Sequence, residues 1–221
     1  MKERAIYCIL AKKTLHFDFQ KIFSPIFLHV QATETGAMLT LATAKAEPMA
    51  IRVVTSLMDR SNNRISRFAD DCTVAPGAPL ILKKTLADIP GHEREYYVLV
   101  SVYEQDTLLC EKTALFVPAK HFRFAYPDVH FEIKGSGRQY EIALSASAYT
   151  RRLHLSFAKT EASFEKNDFD VTADTKMFIS VETDEVTTSR HLEAQLRLRS
   201  LYDVGRITAR ELTDETDFES V

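Results

Sequence analysis

Apolar residues stand at every second position along most of this chain, and that period limits what the chain can fold into. Residues 95–103, EYYVLVSVY, place Val98, Val100 and Val102 on one side of an extended segment, and residues 129–133 alternate in the same way. Successive side chains of a β-strand point to opposite faces of its sheet, so this period is typical of strands that bury one face. The chain is therefore predicted to be all-β.

The first half of the chain is predicted to form one β-sandwich over residues 23–118. Short extended runs are separated there by turn residues such as Gly36 and the pair Pro76-Gly77. Roughly seven such runs at regular spacing are what a sandwich of ~100 residues needs. The predicted strands are residues 25–33, 37–43, 51–57, 64–74, 79–86, 95–103 and 107–117.

The second half predicts a second sandwich of the same kind over residues 128–203. Its runs of alternating residues are clearer than those of the first half. The sequence KGSGR at residues 134–138 predicts a turn between two of them, because Gly135 and Gly137 can adopt positive φ. The alternating runs are residues 129–133, 139–144, 152–157 and 176–181.

The end of the chain combines a helical signal with a last strand. Residues 189–196, SRHLEAQL, are expected to form a short helix with Thr188 or Ser189 as its cap. The final strand is predicted over residues 196–201. Residues 204–221 are polar and acidic and are expected to form a tail.

The start of the chain predicts a helix over residues 1–22. Its apolar residues recur near helical spacing, and Gly and Pro are absent before Pro25. The recurring residues are Ile6, Ile9, Leu10 and Phe17. The apolar run 5–11 barely reaches the ~7 residues of a signal-peptide core, and Lys12 and Lys13 follow instead of a small-residue cleavage site. A signal peptide is therefore not expected.

A connection is predicted over residues 119–127, and it is unusually aromatic. It contains Phe122, Phe124 and Tyr126, whereas a flexible linker is rarely so apolar. The three rings either pack between the sandwiches or, if exposed, form a platform on which sugar rings can stack. Packing is favoured because a soluble protein seldom exposes three large rings together. The absence of Trp weakens the case for a dedicated carbohydrate-binding module.

Composition excludes several classes of partner. Lys and Arg number 28 and Asp and Glu 31, and the two signs are interspersed, so no phosphate-binding basic face is predicted. No apolar run approaches the ~18 residues of a membrane span. Cys8, Cys72 and Cys110 lie far apart without zinc-site spacing, and they are expected to be buried or half-buried free thiols. We predict no nucleic-acid partner, no membrane association and no cofactor.

No catalytic motif is present, and no catalytic, cofactor-binding or metal-binding residue is predicted. The sequence lacks GxSxG, a Walker loop, GxGxxG and HExxH. Asp168, Asp170 and Asp174 in FEKNDFDVTADTK, residues 164–176, allow two interpretations. They could bind calcium, or they could cap turns together with Asn167. Turn capping is favoured, because the ordered ligands and Gly of an EF-hand are missing.

Several stretches of the chain occur in an order that is typical of one family. They are LHFDFQKIFSPIFLHV at residues 15–30, LFVPAKHFRFAYPDVHFEI at residues 115–133, residues 151–181 with an Asn-x-Phe-Asp turn, and RSLYD at residues 199–203. Together they resemble the C-terminal part of β-mannosidases of glycoside hydrolase family 2. In that family the last helix of a catalytic barrel leads into Ig-like domains, so the resemblance implies two immunoglobulin-like β-sandwiches in tandem, preceded by a short N-terminal helix.

The resemblance implies a non-catalytic role. The family's two catalytic glutamates lie on barrel strands, which the resemblance places before Met1, so no catalytic position carries over to this chain. The implied partners are that catalytic barrel and the glycan substrate of the whole enzyme, and self-association is a further expected role. The alternative is a free-standing Ig-like module that binds a glycan or a protein, because sandwiches host unrelated functions.

Overall fold

A computed structural model describes residues 25–87, 89–172 and 176–204. The chain divides into two compact units, residues 1–123 and residues 124–221. Strands predominate in the described part of both units, which confirms the all-β prediction. The predicted N-terminal helix and residues 205–221 of the predicted tail lie outside the described residues.

The described part of the first unit contains seven strands in two sheets. The strands are β1 (Ile26–Thr33), β2 (Gly36–Thr43), β3 (Met49–Asp59), β4 (Arg64–Val74), β5 (Leu80–Thr85), β6 (Tyr96–Glu104) and β7 (Thr107–Leu115). One sheet has the order β1-β2-β5 and the other the order β4-β3-β6-β7. Neighbouring strands pair antiparallel. This arrangement is the sandwich that the alternating pattern predicted.

The core of the first unit lies between its two sheets. Val98, Val100 and Val102 of β6 are fully buried and belong to one cluster with the inward residues of β1, β2 and β3. Each apolar side chain of this size contributes roughly 1.5–3 kcal/mol by leaving water. Thr55 of β3 is opposite Val100 and is also fully buried. Its hydroxyl oxygen has no hydrogen-bond partner, so it is a polar group enclosed by the core.

The outward face of β3 and β6 departs from the predicted one-sided burial. Val54, Ser56 and Met58 of β3 are buried although they alternate with the core residues. In β6 the same holds for Tyr97 and Ser101, which are paired with Met58 and Val54. A strand buried on both faces carries no period-two signal in its burial.

Gly36, at the start of β2, is required by close packing of the backbone. A Cβ atom at this position would lie 1.8 Å from the carbonyl oxygen of Lys84 on the neighbouring strand β5. Real Cβ atoms do not approach a backbone oxygen so closely, and Gly is the residue that permits such an approach. The turn predicted around Gly36 therefore joins β1 to β2 and also allows β5 to pair beside it.

The second unit has two three-stranded sheets, a short helix and a helical turn at residues 201–204 in its described part. Its elements are β8 (Val129–Ala146), β9 (Thr150–Phe157), β10 (Ala162–Phe164), β11 (Phe169–Val171), β12 (Met177–Thr187), α1 (Ser189–Gln195) and β13 (Leu196–Arg199). The sheet orders are β10-β12-β8 and β11-β9-β13. The apolar core contains Ile142, Leu155 and Ile179 from different strands. The short strands β10 and β11 were not among the predicted strands.

Strand β8 joins two predicted strands and the turn between them. At ~3.3 Å per residue its eighteen residues would span roughly 60 Å if they were straight. However, the backbone N–H of Ser147 donates to the carbonyl oxygen of Pro127 at 2.9 Å, so the chain returns to its starting point. The backbone at Gly135 and Gly137 has φ values of 140° and 70°. The predicted reversal at residues 134–138 is therefore present, within what is formally one strand.

The last strand ends two residues earlier than the predicted range 196–201. Helix α1 begins after Thr188, whose hydroxyl oxygen accepts from the backbone N–H of His191, and β13 then covers Leu196–Arg199. Ser200 ends the strand, because its backbone N–H and its hydroxyl both donate to one carboxylate oxygen of Asp203. Residues 201–204 are helical. A side-chain cap of this kind competes with continued strand pairing.

Candidate functional site

The aromatic connection was the candidate site, and its first ring is buried. A 3₁₀ turn, Ala119–His121, precedes Phe122, which is 6% exposed. The backbone N–H of Phe122 donates to the carbonyl oxygen of Ala119 at 3.2 Å. The next backbone N–H, of Arg123, donates to the carbonyl oxygen of Arg94 at 2.8 Å. These bonds fasten the connection to the first unit as far as Arg123.

Charged side chains surround that attachment. Glu95 Oε1 lies 3.3 Å from Arg123 Nη1 and 3.8 Å from Arg60 Nη1. Arg60 also donates to the carbonyl oxygen of Arg123 at 3.5 Å. Exposed ion pairs contribute roughly 0–1 kcal/mol each. This cluster is therefore expected to contribute little to the stability of the fold, although it holds Arg60, Glu95 and Arg123 close together.

Phe124, the second ring, packs within the second unit. Its ring centroid lies 6.1 Å from that of Tyr149, with an angle of 30° between the planes. Tyr149 is buried, and its hydroxyl donates to Asp170 Oδ2 at 3.0 Å. Phe124 itself is half-buried. Most of its ring therefore serves packing.

Tyr126, the third ring, is 66% exposed. It meets Tyr202 edge to face, with 5.8 Å between the ring centroids and 67° between the planes. Of the three candidate residues, Tyr126 thus presents the most open ring. Tyr202 was not recognised as its neighbour from the sequence, although it belongs to the RSLYD stretch that carried the family resemblance.

The Asn-x-Phe-Asp turn is built by side chains that imitate backbone. Asn167 Oδ1 accepts from the backbone N–H of Leu155 at 2.7 Å, and Asn167 Nδ2 donates to the carbonyl oxygen of Leu155 at 2.9 Å. A carboxamide carries the same donor and acceptor as a peptide group. Asn167 therefore extends the pairing of β9 beyond the start of β11.

The aspartates of this turn have partners of their own. Asp170 Oδ1 accepts from the backbone N–H of Arg152 at 3.0 Å, while its other oxygen accepts from Tyr149. Arg152 adopts φ of 53°, at the point where the pairing of β9 with β11 shifts by one residue. Asp170 therefore holds a β-bulge in place, which is a structural role. Asp174, the third aspartate of the calcium alternative, lies outside the described residues.

Several histidines of the described residues form separate local contacts. His154 Nδ1 lies 3.2 Å from Asp168 Oδ1, and the ring of His92 stacks on Tyr96 with 4.8 Å between centroids. His16 lies outside the described part of the chain. Within residues 25–87, 89–172 and 176–204, no group of three His, Cys, Asp or Glu side chains is placed to hold a metal ion.

The two described cysteines are poor nucleophiles. Burial raises the pKa of the Cys110 thiol from 9.0 to about 11. The pKa of Cys72 is also raised, chiefly by burial and further by Asp70 and Asp71. The thiolate is the reactive form, so both side chains are mostly protonated near neutral pH. Cys8 lies outside the described residues.

The described part of the chain contains no helix long and apolar enough to cross a membrane.

Comparison with known proteins finds a family match within the second unit. Residues 124–204 match the family model Ig_mannosidase, which is described as an Ig-fold domain. No curated protein matches the chain. The fold is similar to that of a β-D-mannosidase from Dictyoglomus thermophilum, with a TM-score of 0.65, 15% identity and coverage of 80% of this chain. It is also similar to an exo-chitosanase from Amycolatopsis orientalis, with a TM-score of 0.51, 9% identity and the same 80% coverage.

Both of these structures are of much longer proteins. The chain covers 22% of the β-D-mannosidase and 26% of the exo-chitosanase. At these identities the likeness concerns the fold. Residues 124–204 therefore match the model of an Ig-fold domain, Ig_mannosidase, and the all-β fold of the chain is similar to that of a part of a β-mannosidase and of an exo-chitosanase.

Proposed function

We propose that the chain is a non-catalytic accessory region of a β-mannosidase-like glycoside hydrolase, in which it supports a catalytic barrel. The observation that carries this proposal is the Ig_mannosidase match at residues 124–204. The fold similarity to a fraction of two larger glycoside hydrolases supports it further. The fold and the family name do not specify a reaction, because many unrelated functions occur on sandwich folds. The proposal therefore assigns the reaction to the catalytic barrel.

In this proposal the whole enzyme removes terminal β-mannose units, with two glutamates on the barrel acting as acid/base and nucleophile. The motifs at residues 15–30, 115–133 and 199–203 and the family model support the mannoside assignment. The similarity to an exo-chitosanase makes a β-glucosaminide the competing substrate. Self-association of the region is a further part of the proposal.

The decisive experiment begins with the natural transcript. We expect an in-frame sequence upstream of Met1, or a separately encoded partner, to supply the barrel. The full product and a version lacking residues 25–204 are then assayed with aryl β-mannoside, aryl β-glucosaminide and aryl β-galactoside. Activity on the mannoside that depends on residues 25–204 supports the proposal. A transcript without a barrel, together with a tagged chain that binds no barrel partner, contradicts it.

The 221-residue chain by itself is expected to be inactive on all three substrates. Hydrolysis needs a carboxylate pair held ~5–10 Å apart across the scissile bond. Asp170, for example, is instead engaged locally by the hydroxyl of Tyr149 and the backbone N–H of Arg152. Turnover that follows the chain through two orthogonal purification steps would contradict the non-catalytic assignment.

A second candidate function, glycan binding by a free-standing module, is favoured by one observation. Tyr126 is mostly exposed beside Tyr202, so its ring can stack on a sugar. Tyr126→Ala should then abolish binding of manno-oligosaccharides, measured by titration calorimetry, with an unchanged unfolding midpoint. Phe124→Ala is the matched control, because the loss of its packing on Tyr149 should lower stability by about 1–3 kcal/mol. If neither variant changes sugar binding, or the chain binds no sugar, this candidate is rejected.

A further inference from the structure

Strand β4 lies at the edge of its sheet, and this edge is long and regular. The strand order β4-β3-β6-β7 gives β4 a single partner, β3, among the described residues. β4 has eleven residues and contains no Gly or Pro, whereas strands of globular proteins usually have about 5–6 residues. Residues 66–74 pair one to one with residues 49–57 of β3, and the register shifts only near Arg64. An edge strand of this kind presents backbone N–H and C=O groups to which another strand can bind.

Two other edge strands of the first unit carry features that protect an edge. β5 has six residues and includes Lys83 and Lys84. The pairing of β7 shifts its register between Cys110 and Leu108. Short strands, charged side chains and bulges are the usual obstacles to strand addition. β4 has one inward-facing charge, Asp70, but Lys84 forms an ion pair with it and so neutralises it within the chain.

The charges of β4 are arranged so that the strand is complementary to a second copy of itself. Arg64 and Arg67 lie in its first half, and Asp70 and Asp71 lie in its second half. Antiparallel alignment of two copies therefore brings the basic half of each strand against the acidic half of the other. Opposite charges that face each other on neighbouring strands stabilise the pairing, and like charges destabilise it. A second copy of the chain is thus a partner of matching charge.

Symmetry and charge together select one register for such a pair. When a two-fold axis relates two antiparallel strands, the residue at the centre must face its own copy, because each side chain has to stay on its face of the sheet. The register centred on Ala69 pairs Arg67 of each copy with Asp71 of the other. Centring the pair on Arg67 or Asp70 places like charges opposite each other. Centring it on Phe68 pairs Arg67 with Ala69 and gives no directly facing pair of opposite charges.

The same register agrees with the side chains on both faces of the sheet. On the outer face, Asp71 Oδ1 lies 2.9 Å from Nε of Arg52 on β3, so Arg67 of the second copy would give Asp71 an Arg on its other side. On the inner face, Phe68 is 41% exposed, although it is paired with the fully buried Thr55. The two Phe68 rings become diagonal neighbours in this register, at a separation that aromatic side chains can span. Pairing therefore covers part of their exposed surface.

We propose that two copies of the chain associate through β4, in an antiparallel pair centred on Ala69 that joins their sheets into one continuous sheet. The inference rests on the self-association included in the proposed function and assigns a surface to it. Its test uses the 221-residue chain and needs neither a barrel nor a glycoside. A chain that remains monomeric would overturn this inference without affecting the accessory role, which the activity assays test separately.

Charge reversal tests the partner, with sedimentation velocity over a range of protein concentrations as the readout. Arg67→Glu and Asp71→Arg should each weaken self-association about tenfold or more, because each places like charges opposite each other at both ends of the pair. Both side chains are exposed, so the fold should tolerate these changes. An equimolar mixture of the two variants should associate again, because every facing pair then has opposite charges. The matched control is Lys112→Glu, an exposed position on β7 at the other edge of the sheet, which should leave association unchanged.

Cross-linking tests the register. In Ala69→Cys the two introduced thiols face each other, and the ~4.5–5.5 Å between paired Cα atoms suits a disulfide. In Thr73→Cys, a control on the same strand, the thiols lie about 26 Å apart. Disulfide dimers of Ala69→Cys, above the level of the oxidised wild-type chain and absent from Thr73→Cys, support the proposal. A monomeric wild-type chain, association that Arg67→Glu does not weaken, a mixture that stays monomeric, or cross-linking that does not favour Ala69→Cys overturns it.

Discussion

Replacing Asn167 by Ala should destabilise the second unit more than its partial exposure suggests. The Asn167 side chain makes three hydrogen bonds, to the N–H and C=O of Leu155 and to the N–H of Asp168, at 2.7, 2.9 and 3.1 Å. Each contributes about 1 kcal/mol net, and a buried group left without a partner costs roughly 1–3 kcal/mol. Leu155 is 1% exposed, so its backbone groups lose their partners inside the fold. We expect a loss of about 2–4 kcal/mol of unfolding free energy.

The assay combines urea unfolding with hydrogen exchange of the Leu155 amide. Asn167→Asp keeps both acceptor bonds but places a carboxylate oxygen against the carbonyl oxygen of Leu155, so it should also destabilise the second unit. Ser163→Ala, an exposed position in β10, serves as the neutral control. The reasoning is refuted if Asn167→Ala unfolds at the same urea concentration as Ser163→Ala and the Leu155 amide keeps its protection.

Three other perturbations follow from the described contacts. Thr55→Val should raise the unfolding free energy by about 1 kcal/mol or more, because it removes a buried hydroxyl that has no hydrogen-bond partner. An unchanged or lower urea midpoint would contradict this expectation. Gly36→Ala should destabilise the first unit by several kcal/mol, about as much as the largest single substitutions, because the new Cβ atom would clash with the carbonyl oxygen of Lys84. A near-normal melting temperature of this variant would exclude that close approach. Burial raises the pKa of Cys110 from 9.0 to about 11, so the stability due to this shift is complete below pH 9 and is lost as the pH rises through about 11. Cys110→Ala should remove that part of the alkaline loss, as measured by unfolding midpoints between pH 8 and pH 11.

The candidate site shows how far side-chain chemistry can be read from a sequence. Phe122, Phe124 and Tyr126 were singled out because a connection between domains is rarely so aromatic. Their environments differ: Phe122 is buried, Phe124 packs on Tyr149, and Tyr126 is exposed beside Tyr202. Tyr149 and Tyr202 lie 25 and 76 residues from those partners along the chain (149 − 124 and 202 − 126), so local spacing contains no information about these contacts.

The capping residues also differ in how far their contacts could be predicted from the sequence. Thr188 was named as a helix cap from the sequence, because a cap acts within three residues of its own position. Asn167 was assigned to turn capping, but its bonds to Leu155 cross from one element to another. The end of β13 was predicted too late, because Ser200 and Asp203 were not recognised as a local cap.

The sequence by itself determined that the chain is all-β, that it forms sandwiches, and where most strands lie. It could do so because a half-buried strand carries its own period of two, whatever it packs against. Only the tertiary structure decided that β3 and β6 are buried on both faces, that Gly36 lies against the backbone of Lys84, and that Thr55 is enclosed in the core. The physical reason is that these properties depend on neighbours from distant strands, and a local pattern does not specify which strands become neighbours.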